Sequence, residues 1–333
     1  MPACPKNWRW RMRRWWKACW IVLGLALGPG LGAQAQDGRI LRLVVPYPSG
    51  GILDAQARLV APALRHHLQR ELVVDNIAGA AGAIGLQHAL AAADGTALVA
   101  GTDSDVVLAP LFNPELKYRP EQFRLLAVLG SAPMALLARP GLDLAVWTSL
   151  AAGAVRGDAE LRLASYGVGS NAHLVADDYA RRARARWLHV PYRGAGPLLQ
   201  DLMGGVVDAA FLPLAAGVPD LVRAGRLQLL AVAATERVPG FAQVPTWEEL
   251  GLDGFVHRSW SALLVPATVP APALERLRAA AVATVQDGAV HQQLAAMGLA
   301  PVPLATDAEA QSFLAAEVRR YRGLAAAAAR AVP

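Results

Sequence analysis

The chain has 333 residues, 32 basic and 26 acidic, but six of the basic residues and none of the acidic ones fall within the first 35. The remaining 298 residues balance 26 positive against 26 negative side chains, which excludes a strongly basic nucleic-acid-binding or membrane-docking face. Both cysteines, Cys4 and Cys19, lie in the opening segment, so the rest of the chain needs neither disulfides nor thiol chemistry.

That opening segment reads as an export signal. Lys6, Arg9, Arg11, Arg13, Arg14 and Lys17 precede an apolar run over 19–31, and Ala33-Gln34-Ala35 supplies a small-x-small cleavage pattern. The expectation is a periplasmic protein with residues 1–35 removed. The general secretory route is preferred over the twin-arginine route, since Arg13-Arg14 matches the latter only weakly. The apolar run is too short for a comfortable membrane span, and no stable membrane insertion is expected.

Beyond it, strands and helices alternate. A strand is predicted over 40–45, then a helix over 54–68 with Ala57, Val60, Leu64 and Leu68 on one face. Pro62 interrupts that helix, at a cost of roughly 3 kcal/mol unless it bends. Strands at 71–74 and 97–100 flank a helix at 82–92. After Pro140 the pattern restarts, with a strand at 161–165, a helix at 171–185, a strand at 187–190, a helix at 196–203 and strands at 207–211 and 227–233. A strand at 259–265 and helices at 272–285 and 307–324, with a short helix and a short strand between them, complete the pattern. Such alternation predicts an α/β fold in which mainly parallel sheets carry helices on both faces. A two-domain division is expected: residues 36–139 with 257–333 as a discontinuous first domain, and 140–256 as the second. "HVPYRGAG" (189–196) echoes "VVPYPSGG" (44–51), either by chance or because two halves share an architecture.

Four predicted strands end in glycine-rich corners: "PYPSGGILD" (46–54), "NIAGAAGAIG" (76–85), "GTDSD" (101–105) and "SYGVGSNAH" (165–173). In open parallel sheets, ligands sit beyond the carboxyl ends of the strands, where helix N-termini offer unpaired N–H groups and a partial positive charge. Glycine lets a ligand reach those amides. Convergence of the four corners would make a receiver for a small carboxylate held by main-chain and hydroxyl donors. The candidate ligand-binding residues are Tyr47, Ser49, Gly50, Gly51, Asp54, Thr102, Ser104, Ser165, Gly169, Ser170, Asn171 and His173. For Asp54 a ligand role competes with simple stabilisation of a helix's first turn. His173 also reads as a packed or capping histidine, Asn76 as a brace of its own loop, and Tyr192 as either cleft wall or core.

No catalytic residue, metal ligand or cofactor is expected. There is no G-x-S-x-G elbow and no H-E-x-x-H pair among histidines 66, 67, 88, 173, 189, 257 and 291. "GAAGAIG" (79–85) followed by Asp103 imitates a dinucleotide site. Its glycine spacing is wrong for that, so a dinucleotide-dependent oxidoreductase ranks as a distant alternative.

Eight short motifs in register carry a resemblance. They are 45–54 (V-P-Y-x-x-G-G-x-x-D), 76–85, 94–98, 167–174, 190–194 (V-P-Y-R-G), 205–208, 244–251, and Ser259-Trp260 followed by 265–270. In this order, over nearly the whole chain after residue 35, they closely resemble the Bug/TctC family, the periplasmic solute receptors of tripartite tricarboxylate transporters. The resemblance implies a type II, Venus-flytrap binding protein whose two domains close on a small carboxylate. Loop amides, hydroxyls and bridging water from the first domain would grip it, and the glycine-serine loop of the second would reach in opposite. It implies no enzymatic activity, a monomer, and membrane transporter subunits as partners, or else a sensor kinase. The chain departs from the family pattern at Ile52-Leu53, Ala78, Ala81, Thr96 and Leu212-Pro213. Loss of a polar group after Phe211 favours a less polar mono- or dicarboxylate, aromatic ones included, over an amino acid.

Overall fold

The structure, a computed structural model, describes residues 40–92, 95–151 and 161–329. The signal expected at 1–35 lies outside the described residues, as does Asp94 of the third motif. The first half begins β1 (Leu41–Val45), α1 (Ile52–Leu68), β2 (Leu72–Asn76), α2 (Ala83–Ala91) and β3 (Ala97–Thr102). β2 and β3 flank β1, both parallel to it. Side chains alternate across β1, and both of its faces are covered. Leu41, Leu43 and Val45 pack with Ala57, Val60 and Leu64 of α1, whereas Val44 packs with Leu86 and Ala89 of α2. This is why β1 is apolar apart from Arg42, which stays exposed near its start and pairs with Asp75 at 3.0 Å. Burying Val60 and Leu64 fully contributes about 1.5–3 kcal/mol each. α1 starts two residues before the predicted boundary and runs through Pro62, which sits on its exposed face.

A tight π-type turn over Ser104–Leu108 leads into α3 (Ala109–Phe112) and then β4 (Phe123–Ala138). Sequence periodicity gave no sign of this 16-residue strand, because Gly130, Ser131 and Pro133 interrupt it and its pairing register shifts twice. After α4 (Leu144–Ala151) the second half runs β5 (Arg162–Ser165), α5 (Asn171–Ala183), β6 (Leu188–Pro191), α6 (Ala195–Met203) and β7 (Ala209–Pro213). α7 (Val218–Arg223), β8 (Gln228–Val232) and β9 (Arg258–Pro266) follow, then α8 (Ala271–Gln286), α9 (Gly288–Ala296) and α10 (Asp307–Ala329).

The strand order is β2-β1-β3-β9-β4-β7-β5-β6, with β8 paired to β4. The parallel pairing expected from the alternation occupies both ends of the sheet, while β9 and β4 insert antiparallel strands at its centre. β4 pairs with β9 over 123–133, and with β7 and β8 over 134–138. A parallel βαβαβ unit therefore occurs twice, ordered β2-β1-β3 and β6-β5-β7. The echoing segments 44–51 and 189–196 do not occupy equivalent places in it, because β1 opens the first unit and β6 is the second strand of the other. The second half is centred on Trp147, Tyr179, Phe211, Trp247 and Phe255, with the Trp147 indole N–H donating to the Tyr179 hydroxyl at 3.0 Å. α10 lays Leu314, Val318 and Tyr321 on the face of the first half that α2 covers.

Candidate functional site

The glycine corners meet in pairs. A Cβ added to Gly194, which precedes α6, would lie 2.9 Å from Pro48 Cδ and 3.5 Å from a ring carbon of Tyr47. One added to Gly51 would lie 3.7 Å from the Gly196 nitrogen, so the two "PY" corners pack backbone to backbone. Gly167 similarly abuts Ala81, joining the second corner to the fourth. The third and fourth are joined by hydrogen bonds. The Asn171 amide N–H donates to Ser104 Oγ at 3.0 Å, and Asn171 Nδ2 donates to Asp103 Oδ2 at 2.9 Å.

Between the first of these pairs lies a part-open cavity, about 580 Å³ when the open solvent at its mouth is counted. Gly51, Ile52 and Leu53 at the start of α1 and Ala195 at the start of α6 line it. Neither helix has a side-chain N-cap, so the first N–H groups of each are left for another acceptor. Three lining side chains have a buried polar atom with no partner: Tyr47 Oη, Gln56 Oε1 and Ser261 Oγ. An orphaned buried polar group costs about 1–3 kcal/mol, so three around one cavity mark it as built for a polar guest. Among the described residues lining the cavity none is charged. Two acids lie just behind it. Asp105 accepts from the Thr102 N–H at 3.0 Å and from Thr102 Oγ1 at 2.6 Å. Burial raises its pKa to about 7, and that of Asp103 to about 6. Asp103 is held by the hydroxyls of Tyr321 and Ser259 at 2.5 and 3.0 Å, and by Asn171.

A model of the tripartite tricarboxylate transporter family receptors, TctC, matches residues 56–328. The chain belongs to that family. It resembles the protein BugT of Bordetella pertussis, with 33% identity over 297 residues, 88% of this chain and 90% of BugT. MatC from Rhodopseudomonas palustris, solved with bound malate, matches with a TM-score of 0.78 at 30% identity, covering 86% of this chain and 98% of MatC. A second R. palustris protein, solved with adipate, matches at 0.80 and 28% identity, covering 88% of this chain and 98% of that one. The fold is that of the periplasmic solute-binding proteins.

Within this TctC-family receptor the candidate residues separate into two groups. Tyr47, Gly51 and Thr102 line the cavity. The others lie off its wall, and all of them except the exposed Ser49 hold the corners in shape. Gly50 donates its N–H to Asp54 Oδ2 at 2.9 Å, and Asp54 also accepts from Arg58 Nε and Asn76 Nδ2, each at 3.0 Å. Burial raises the Asp54 pKa, but the bonds from Arg58, Gly50 and Asn76 outweigh it and leave the carboxyl below its ordinary value. Asp54 is thus a brace, as is Asn76, which also donates to Tyr47 O at 3.1 Å. Ser49 is solvent-exposed on the corner. Ser104 and Asn171 join two corners, and Ser170 caps α5 by accepting from the His173 N–H at 3.4 Å. Ser165 Oγ lies 2.7 Å from His189 Nε2, and Gly169 donates its N–H to His173 Nδ1 at 3.1 Å. Tyr192 donates to Asp201 at 2.6 Å and is not on the cavity lining. The wall residues that sequence reasoning missed include Gln56, Tyr166, Ala195, Ser259 and Ser261. Tyr166 lies inside a flagged corner. Gln56 and Ser261 gave no signal, since one is a mid-helix polar residue and the other a strand serine.

Two features of these corners give measurable expectations. Ala81, at a position where the family pattern has glycine, adopts φ +52° and ψ 35°, a left-handed conformation that strains a Cβ. Ala81→Gly is expected to stabilise the protein by about 1 kcal/mol, less the added freedom of the unfolded chain, read as a higher urea midpoint. The rings of His173 and His189 stack at 4.2 Å with 5° between their planes. Burial depresses both pKa values, and for His189 the neighbouring His173 adds to the effect while Asp177 opposes it. Asp177 Oδ2 faces His173 Nε2 at 3.6 Å. A histidine whose folded-state pKa is depressed contributes stability in full above its unfolded value near 6.5, lost as pH falls through the folded value. The stability advantage of the wild type over His189→Gln should therefore narrow between pH 7.5 and 5, as followed by chemical denaturation.

Proposed function

We propose that the protein is an extracytoplasmic receptor that holds a small carboxylate in the cavity between the first corner and α6. It would pass that carboxylate to the membrane subunits of a tripartite tricarboxylate-type transporter. The observation that carries this reading is the set of three unpartnered buried polar atoms around a cavity that two uncapped helix N-termini also line. Main-chain N–H groups and the Tyr47 and Ser261 hydroxyls donate to an anion, as does the Gln56 amide when its NH₂ faces inward. No charged group is needed, and none of the described lining residues is an acid that could receive a ligand ammonium, which disfavours amino acids. Binding without turnover fits the family and the R. palustris relatives solved with malate and adipate.

On this reading the chain has two lobes, residues 36–139 with 257–333 and residues 140–256, that close on the ligand. The switch in β4 pairing between Pro133 and Met134 supports a hinge there, a few residues before the boundary expected from sequence. Residues 1–35 would direct export to the periplasm. Among the described residues no helix is long and apolar enough to cross a membrane. The test is a thermal-shift and calorimetric screen of the protein lacking residues 1–35 against small organic acids, amino acids and sugars. Saturable stabilisation by one or more acids, recovered unchanged, is expected. Stabilisation by sugars or amino acids alone, or conversion of a bound acid, would overturn the proposal.

A further inference from the structure

Resting on the carboxylate reading above, we infer that the ligand is a monocarboxylate with an apolar body, and that the cavity discriminates against dicarboxylates. The unpartnered polar side chains of the cavity come from β1's corner, α1 and β9, and the other polar side chains of its wall, Thr102, Ser259 and Tyr166, already have hydrogen-bond partners. Thr102 and Ser261 are cross-strand partners on β3 and β9, and Tyr47 lies beside Thr102. Gln56 comes from α1, which packs over those strands. The rest of the wall includes Ala132, Pro213, Ala215 and Leu299, together with Ser259, whose hydroxyl donates to Asp103, and Tyr166, whose hydroxyl accepts from Ser104 at 3.4 Å. Ala132, Ala215 and Leu299 belong to one buried apolar cluster. Pro213 ends β7, and its ring nitrogen has no proton to donate.

One carboxylate can satisfy the unpartnered groups. A second, at the other end of a diacid, would meet mainly methyl and methylene groups and hydroxyls already bonded within the protein, and would lose more hydration than it regains. An apolar tail gains there, since covering apolar surface is favourable at about 25 cal/mol per Å².

The decisive measurement compares dissociation constants for 3-phenylpropionate and 3-methylbutanoate with those for succinate, malate and adipate, by calorimetry on one preparation. At least one monocarboxylate should bind ten-fold or more tightly than every dicarboxylate. Leu299→Gln, which places an amide among the apolar groups of the wall, should narrow that ratio about ten-fold. If that variant fails to fold, the wild-type ratio decides alone. Dicarboxylates binding as tightly as the monocarboxylates would overturn this inference while leaving the receptor reading intact. Silence with all five acids would overturn this inference, and silence alongside binding of a neutral or cationic solute would overturn the receptor reading as well.

Discussion

Tyr47→Phe should weaken carboxylate binding by roughly ten-fold or more and leave the unliganded protein at least as stable as the wild type. The phenyl ring keeps the packing of a residue only 8% exposed, and the lost hydroxyl makes no well-formed hydrogen bond, only a close approach to Thr102 and the Asp105 carboxyl. A hydrogen bond to a charged group is worth about 1.5–3 kcal/mol, and 1.4 kcal/mol is a factor of ten. Ser261→Ala should behave likewise, for the same reason. The two effects should be less than additive if both hydroxyls hold the same carboxylate. Calorimetric affinity and the apo melting temperature, measured together, decide the matter. An affinity within two-fold of wild type for both variants would place the ligand elsewhere.

Gly85→Ala should destabilise the fold by roughly 3 kcal/mol, an effect of the opposite kind. A Cβ there would lie 2.8 Å from Ile77 O and 2.9 Å from Pro46 Cα. Both contacts are backbone, so no side-chain rotation relieves them. α2 lies directly against the corner of β1, and either the helix or the corner must move. Because the Pro46 corner carries Tyr47, ligand affinity should fall along with the denaturation midpoint. Replacement by alanine with an unchanged midpoint would show that the corner gives way cheaply.

Much of the outer architecture was legible in the residues. The runs at 43–45 and 97–100 are apolar because helices cover both faces of those strands, and Ala57, Val60 and Leu64 declare the inward side of α1. β4 was not legible. Its meaning is non-local, since one end pairs with β9, more than a hundred residues away, and the other with β7 and β8. Glycine, serine and proline within it mimic a loop, yet Gly130 is where Leu299 packs against the backbone and Pro133 lies where the pairing changes hands.

The site divides in the same way. The corners announce themselves because glycine pairs and hydroxyl residues after a strand have few other physical explanations, and their mutual approach is what the structure displays. Which members face the cavity could not be read from types and spacing. Ser104, Ser170 and Asn171 offer hydrogen-bonding groups as Tyr47 and Thr102 do, and Asp54 a carboxylate, but Asp54 and Ser170 bond within their own corners while Ser104 and Asn171 bond to each other's.

From the order of residues alone came the family, the balanced charge after residue 35, the α/β alternation and the strand-end placement of the anion-receiving loops, because these depend on short-range pattern and composition. Only the tertiary structure decided that Gln56 and Ser261 join Tyr47 around an uncharged cavity, and that Ala132, Pro213, Ala215 and Leu299 supply apolar surface to the same wall. A polar atom becomes a ligand partner through the absence of any other partner in space, and that absence depends on the packing of segments distant in the chain.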